Sequence, residues 1–300
     1  MKKILITGGT TFVSRFTADH FVKNGDQVFV LNRNTKPQVP GVTLIEGDRH
    51  QLGDKLKGIH FDAVLDITAY DEADIIDLHE ALDSFDDYIM ISSSAVYTDK
   101  GTQPFTEDRD IAPNTYWGSY GTNKIEAENA LTARVPDAYI FRPPYLYGPM
   151  NNLYREAFVF DCAKSDRKFY IPGDGTMKLQ FFHVADLCGI MKAILETHPK
   201  EHIYNVGNEE SVSIKEWARL CYACYGKEPE FVSVSEEIPQ LSYISFVNYE
   251  YYLDISRQKS IYRDLIPLSQ GLRESAEWYN SNENLVNKRN LINYIDENLI

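Results

Sequence analysis

The chain starts with an unbroken apolar run, Lys3-Ile4-Leu5-Ile6-Thr7, that stops at Gly8-Gly9. A short run without alternation is what a strand covered on both faces requires. Val13, Phe16 and Phe21 then recur at helical spacing up to Asn24-Gly25, where the glycine suits a C-cap. Gln27 to Leu31 reads as a second strand. Strand, glycine turn, helix and strand in quick succession predict a right-handed, parallel βαβ unit. The alternation continues with strands over 43–46, 63–67, 88–92 and 138–142, and helices over 74–82 and 120–133. This pattern predicts an α/β fold, a doubly wound parallel sheet of the Rossmann type, with its ligand crevice beyond the carboxyl ends of the strands. Gly8, Asn32, Asp48, Asp66 and Ser93 all fall at such ends.

After Arg142 the periodicity loosens. Pro143, Pro144, Gly148, Pro149, Pro172, Gly173 and Gly175 interrupt it, and loops of this composition usually shape a site. Helical patterns return at 184–197 and 214–225. The expected organisation is a dinucleotide-binding domain over 1–143, with 176–200 returning to it. A smaller C-terminal substrate domain takes 144–175 and 201–280, and 281–300 is a peripheral tail. No internal repeat is present.

Composition narrows the class. With 43% hydrophobic residues, 300 residues bury a large core, and 30 basic against 44 acidic residues give a net charge of −14. That balance disfavours a phosphate-backbone partner, so no nucleic acid is expected. The apolar run at the start is too short for a signal peptide and no long apolar window follows, so a cytoplasmic protein without a membrane partner is expected. Cys221 and Cys224 form a C-x-x-C inside a helical pattern with no second pair and no histidine at ligand spacing, so no metal site is expected.

The candidate chemistry lies in Ser92–Tyr97 and Tyr120–Lys124. On a helix, Tyr120 and Lys124 share one face. A free phenol is a poor base at neutral pH, and a nearby ammonium favours its ionised form. A serine at an adjacent strand end can hold a substrate oxygen beside the phenol. The three types together suit proton transfer in alcohol oxidation or ketone reduction.

Beyond these residues the chain resembles the extended short-chain dehydrogenase/reductase family, the NAD-dependent epimerases and dehydratases. The likeness rests on Thr7 to Ser14, Gly47-Asp48, Ser92–Tyr97, Tyr120–Lys124, Arg142-Pro143, Tyr147-Gly148-Pro149, Phe182 to Leu187, Tyr204 to Gly207 and Gly271-Leu272…Trp278. These occur in family order over roughly residues 1–280. The resemblance implies that Ser93, Tyr120 and Lys124 are catalytic, with Lys124 also binding the nicotinamide ribose and lowering the Tyr120 pKa. It places the cofactor on Gly8, Thr10, Thr11, Phe12 and Val13 of the turn, and on Asn32, Arg33, Asp48 and Arg49. Ile67, Thr68, Ser92 and Pro143 complete that set. Tyr70, Ser94, Tyr145, Asn151, Asn152 and Lys178 are the implied substrate contacts.

The departures from the family pattern matter. The three turn glycines read Gly8, Thr11 and Ser14. The second normally admits the pyrophosphate and the third lets helix and strand pack closely, so weaker or re-posed cofactor binding is expected. The second strand ends in Asn32-Arg33 instead of an acidic residue, and Arg33 with Lys36 favours NADP over NAD. Tyr145 stands where nucleotide-sugar enzymes commonly have Asn, and Leu179 where they have a diphosphate-gripping Arg. Ser94 and Ala95 replace the Asp-Glu pair of the 4,6-dehydratases.

The expected function is therefore an NAD(P)-dependent oxidoreductase or epimerase acting on a sugar or nucleotide-sugar alcohol or ketone, a homodimer being left open. The alternative is a non-catalytic nucleotide- or RNA-binding protein on the same fold. It is suggested by Asp66 to Tyr70, which resembles an atypical subgroup that includes the chloroplast stem-loop-binding proteins. Those members have lost the Tyr/Lys pair, which this chain keeps. A serine hydrolase built on Ser93 and His183 is disfavoured, because Ser93 lacks the G-x-S-x-G elbow.

Overall fold

A computed structural model describes all 300 residues, Met1–Ile300. The chain divides into two compact units: Met1–Pro144 with Val184–Gly207 and Leu253–Leu265, and Tyr145–His183 with Asn208–Tyr252 and Ile266–Ile300.

The first unit carries strands β1 (Lys3–Thr7), β2 (Gln27–Asn32), β3 (Thr43–Glu46), β4 (His60–Asp66), β5 (Ser84–Ile91) and β6 (Tyr139–Arg142), and helices α1 (Phe12–Lys23), α2 (Glu72–Ala81) and α3 (Gly118–Arg134). With the strand Ile203–Asn205 they form one seven-stranded sheet, in the order Ile203–Asn205, β6, β5, β4, β1, β2, β3. Every pairing in it is parallel. The winding reverses between β1 and β4, and a ligand crevice is expected at their carboxyl ends. Alternate sheet residues Leu5, Leu31, Val64, Met90 and Ile140 pack with Ile75 and Leu78 of α2 and Ala127 and Leu131 of α3. The intervening Ile4 and Ile6 point to the opposite face and are fully buried too. Burial on both faces explains why β1 reads as a continuous apolar run. Each such side chain contributes about 1.5–3 kcal/mol.

Boundaries differ from expectation for identifiable reasons. β5 begins at Ser84, paired with His60 at the foot of β4, and its polar Ser84, Asp86 and Asp87 concealed it. The returning segment is Val184–Gly207, not 176–200. Lys178–Leu179 instead pairs with Val212–Ser213, and Phe181–His183 with Tyr145–Tyr147, which keeps 176–183 in the second unit. Leu253–Leu265 joins the first unit unannounced. The Gln258 amide there accepts from Gly207 N at 2.8 Å and donates to Gly207 O at 3.1 Å.

The second unit packs helices Glu156–Lys164, Ile214–Ala223 and Leu268–Asn282 around an aromatic core in which Trp217 stacks on Phe181 at 5.8 Å. The final residues are no peripheral tail: Val286, Leu291 and Ile295 are buried in this core. Cys221 is buried on its helix and Cys224 is half-buried, and burial pushes the Cys224 thiol up to about 11. Both behave as small apolar side chains. No helix is long and apolar enough to cross a membrane.

Candidate active site

The turn after β1 is built for glycine at two positions. Gly8 and Gly9 have φ of +88° and +93°, and a Cβ at Gly9 would lie 2.6 Å from Val30 Cγ1. The expected weakness at Thr11 and Ser14 has a local remedy. Ser14 is buried and its hydroxyl donates to Thr11 O at 2.9 Å, so it fills the place of the third glycine without an unpaired polar group. Thr11 Oγ1 makes no capping bond to α1 and accepts from Lys36 Nζ at 3.3 Å. Phe12, at φ +35°, opens α1.

Beside this turn lies a cleft of about 360 Å³ whose lining includes Thr10, Asn32, Arg33, Asp48, Arg49 and Thr68. A buried carboxylate holds two of its lining residues, Thr7 and Arg49. Asp66 is fully buried, and accepts from Thr7 Oγ1 at 2.7 Å, Tyr88 OH at 2.7 Å and Arg49 Nη2 at 2.8 Å. Burial disfavours the Arg49 charge, but Asp66 and then Asp74 outweigh it and raise its pKa. Thr7 Oγ1 in turn accepts from the Ile67 and Thr68 amides at 3.0 and 3.1 Å, which fixes the loop after β4. Asn32 Nδ2 donates to Gly8 O at 2.6 Å and Asn32 Oδ1 accepts from Asn34 N at 2.9 Å, so that side chain braces the turn. The Arg33 guanidinium, by contrast, is exposed at the rim with no ion pair. A cleft between a glycine turn and Asp48, rimmed by a free cation, suits the adenosine part of a dinucleotide.

Ser92–Ser94 follows β5. Ser93 Oγ accepts from Ala95 N at 3.2 Å, and the Ser93 side chain lies near enough to the Tyr120 hydroxyl to lower its pKa. Gly121 makes that meeting possible. A Cβ there would sit 2.5 Å from Ala95 O, so only glycine lets α3 approach the serine turn this closely. The Tyr70 ring lies 5.7 Å from that of Tyr120. Ser94 N donates to Pro143 O at 2.9 Å, tying the turn to the end of β6.

Lys124 behaves differently from expectation. Its ammonium is buried and donates to Ala69 O at 2.6 Å and Ile91 O at 2.8 Å. Burial lowers its pKa to about 8 against the pull of Asp66 and Glu128. Burial raises the Tyr120 pKa, opposed by the nearby Ser93 side chain, and Lys124 is not among the groups that set it.

One participant was missed. Glu128, the next turn of α3 after Lys124, is buried and holds Arg142 through Nε at 3.0 Å and Nη2 at 2.5 Å, and accepts from Ser92 Oγ. Arg142 Nη1 donates to Tyr97 OH at 3.0 Å, and Tyr97 OH to Asn205 Oδ1 at 2.7 Å. The pair locks α3 to the ends of β5 and β6. An acid at i, i+4 from Lys124 on the buried face, with an arginine closing the sixth strand, was the available signal.

In the second unit the expected substrate residues do structural work. Tyr145 is half-buried, packed on Phe246 at 5.0 Å beneath the Arg155 guanidinium. Asn151 is buried, donates to Glu156 Oε2 at 2.9 Å and accepts from Leu153 N at 3.0 Å. Asn152 O accepts from Asn287 N at 2.8 Å. Lys178 extends into solvent while its amide donates to Glu250 Oε2 at 2.7 Å. His183 is fully buried, edge-on to Tyr147 at 5.1 Å, and burial lowers its pKa to about 4. Such a histidine is neutral at pH 7 and in the unfolded chain binds its proton first on acidification. Stability is therefore expected to fall as pH drops from about 6.5 to about 4, by about 3 kcal/mol from this group. Urea unfolding at stepped pH, with His183→Gln as reference, checks this: the variant should lose less over that window.

A sequence model of the NAD dependent epimerase/dehydratase family matches residues 4–207. The chain belongs to that family. It is an enzyme fold of oxidoreductase and isomerase chemistry. Among curated proteins it is 30% identical over 251 residues to the chloroplast stem-loop binding protein of 41 kDa b from Arabidopsis thaliana, which covers 77% of this chain. The chain spans 65% of that protein's length. It is 26% identical to the dTDP-4-dehydro-6-deoxy-D-allose reductase of a Streptomyces species, covering 93% of this chain and 96% of the other. Among solved structures, the NAD complex of dTDP-glucose 4,6-dehydratase from Bacillus anthracis superposes with a TM-score of 0.77 at 18% identity. That match covers 95% of this chain and 99% of that one, and speaks to the fold.

Proposed function

We propose that the protein is an NAD(P)-dependent oxidoreductase or epimerase acting on a sugar or nucleotide-sugar alcohol or ketone through Tyr120, Ser93 and Lys124. The observation that carries this is the close approach of α3 to the serine turn after β5 at Gly121, which brings Tyr120 near enough for the Ser93 side chain to lower its pKa, in the same unit as the glycine turn. The dTDP-sugar reductase likeness supports the substrate class. The bound nicotinamide supplies the hydride acceptor or donor. Tyr120, kept neutral by burial, donates its proton to a carbonyl oxygen in the reducing direction and recovers it in the other. Ser93 polarises the same oxygen. Lys124, anchored on Ile91 O at the end of β5 and Ala69 O in the loop after β4, keeps a positive charge in the crevice at neutral pH. Replacing Tyr120 tests the reading, as argued below.

Within this reading the preferred cofactor is NADP. No acid ends β2, Asn32 is engaged with the turn, and Arg33 stands free at the rim with Lys36 nearby. Arg33→Ala is expected to weaken NADPH binding about tenfold while changing NADH binding little, the order of one lost charge-assisted contact. Fluorescence titration with both nucleotides measures it; equal losses would remove the preference.

The stem-loop-binding likeness favours a second reading, RNA binding without turnover. A net charge of −14 and the retained Tyr120 and Lys124 stand against it. Salt-dependent retention of RNA in the absence of any NAD(P)H binding would reverse that ranking.

A further inference from the structure

The loop after β4 holds an aromatic ring in water beside the Tyr120 phenol. Tyr70 is 42% exposed, and its ring lies 5.7 Å from that of Tyr120 at a tilt of 47°. Apart from the terminal Met1, the large apolar side chains that the first unit leaves exposed are Tyr70 and Tyr116. Tyr116 belongs to the turn that leads into α3, four residues before Tyr120. Single exposed apolar residues are ordinary on a protein surface. These two are not scattered: one packs beside the phenol and the other sits just ahead of it in the chain, which is how a ligand groove differs from a bare surface.

The backbone under Tyr70 is independently fixed. Tyr70 N donates to Asp74 Oδ2 at 2.6 Å, Ala69 O accepts from Lys124 Nζ at 2.6 Å, and the Ile67 and Thr68 amides both reach Thr7 Oγ1. Four successive residues are therefore bonded to β1, α2 or α3. A ring carried on such a loop has little backbone freedom left to lose when a ligand covers it, so it is a preorganised contact. Tyrosine suits the task, since it offers a flat apolar face and only two side-chain torsions to order. Ser94, the other implied substrate contact in the first unit, is only 4% exposed, which leaves Tyr70 as the accessible one.

We propose that Tyr70 is a specificity-determining residue of the crevice: the sugar ring of the substrate lays a C–H face on the Tyr70 ring, beside the Tyr120 hydroxyl. This rests on the function proposed above and deepens it. The group recognised is an intact sugar ring, whose C–H face matches an aromatic face while its hydroxyls stay free for polar partners. An open-chain alcohol or ketone offers no such face.

The test is calorimetry on the full chain in the presence of NADP, titrating UDP-glucose against UDP and dTDP-glucose against dTDP. The readout is the ratio of affinities with and without the glucosyl group. In the parent chain that ratio is expected to be about tenfold, the scale of covering one aromatic face. Tyr70→Phe keeps the face and should keep the ratio. Tyr70→Ser should bring it to about one, while affinity for the bare nucleotides and for NADPH changes less than about twofold. The ring is exposed, so thermal midpoints of both variants should match the parent. An unchanged ratio in Tyr70→Ser, or a ratio near one in the parent chain, overturns the proposal. So does a parallel fall in NADPH affinity, which would give the ring to the nicotinamide. Turnover separates this proposal from the reading beneath it. A ratio that depends on Tyr70 with no turnover of any sugar leaves the stacking role standing and removes the enzymatic one, whereas sugar turnover that Tyr70→Ser leaves untouched does the reverse.

Discussion

Replacing Tyr120 by phenylalanine is expected to lower turnover by about 10³-fold while NAD(P)H affinity changes less than twofold, the scale of a lost general acid. The substitution removes one oxygen and keeps the ring against Tyr70, so the crevice retains its shape. Ser93 still accepts from Ala95 N, so the turn it caps should hold. Steady-state kinetics with the best carbohydrate from a screen, beside a cofactor titration, gives both readouts. Unchanged turnover would take Tyr120 out of the mechanism. A matched fall in cofactor affinity would make it a structural residue of the cleft.

Under the proposed mechanism, the same geometry bears on the direction of the reaction. A phenol activated by an adjacent ammonium works as a base toward an alcohol. Here the ammonium of Lys124 lies on Ala69 O and Ile91 O, and burial holds the phenol above its ordinary value. A neutral phenol is a donor, and a donor beside a carbonyl serves reduction. Under the proposed function, Tyr120 would enter the reaction as a proton donor toward a ketone.

The fold was legible because its strands are buried on both faces. Ile4 to Ile6 and Ala63 to Leu65 carry no polar interruption, and Gly8 ends the first run where the chain must turn with positive φ. What stayed hidden was non-local. The polar start of β5 is a strand because β4 lies beside it, not because of its own pattern. The return of Ile203–Asn205 to the sheet, and of 253–265 to the first unit, depends on contacts with residues far away in sequence. At the site, spacing placed Tyr120 and Lys124 on one face but could not say where the ammonium points. Nor could it show that Asn151 is engaged by a hydrogen bond and Tyr145 by packing. Spacing says nothing of why Gly121 stands between Tyr120 and Lys124; its reason is the Ala95 carbonyl pressed against it.

Glu128→Ala is expected to destabilise the protein by about 3–5 kcal/mol, because it strands the Arg142 guanidinium in a buried position. Both side chains are only 3% exposed, so water cannot replace the lost carboxylate. Tyr97 OH and Glu107 O remain near Arg142, but neither carries the compensating charge: burial pushes the Tyr97 phenol up to about 12. Glu128 also accepts from Ser92 Oγ, so the loss reaches the strand end beside Ser93. Urea unfolding should show the midpoint shift. Removing both charges together, Glu128→Leu with Arg142→Met, should recover most of the stability, since an apolar pair of similar volume avoids the desolvation cost of the ions. Activity should not recover with it. The ion pair sets where α3 lies against the ends of β5 and β6, and Tyr120 and Lys124 both ride on that helix. A double variant as stable and as active as the parent would show that α3 is held in place by its apolar face alone.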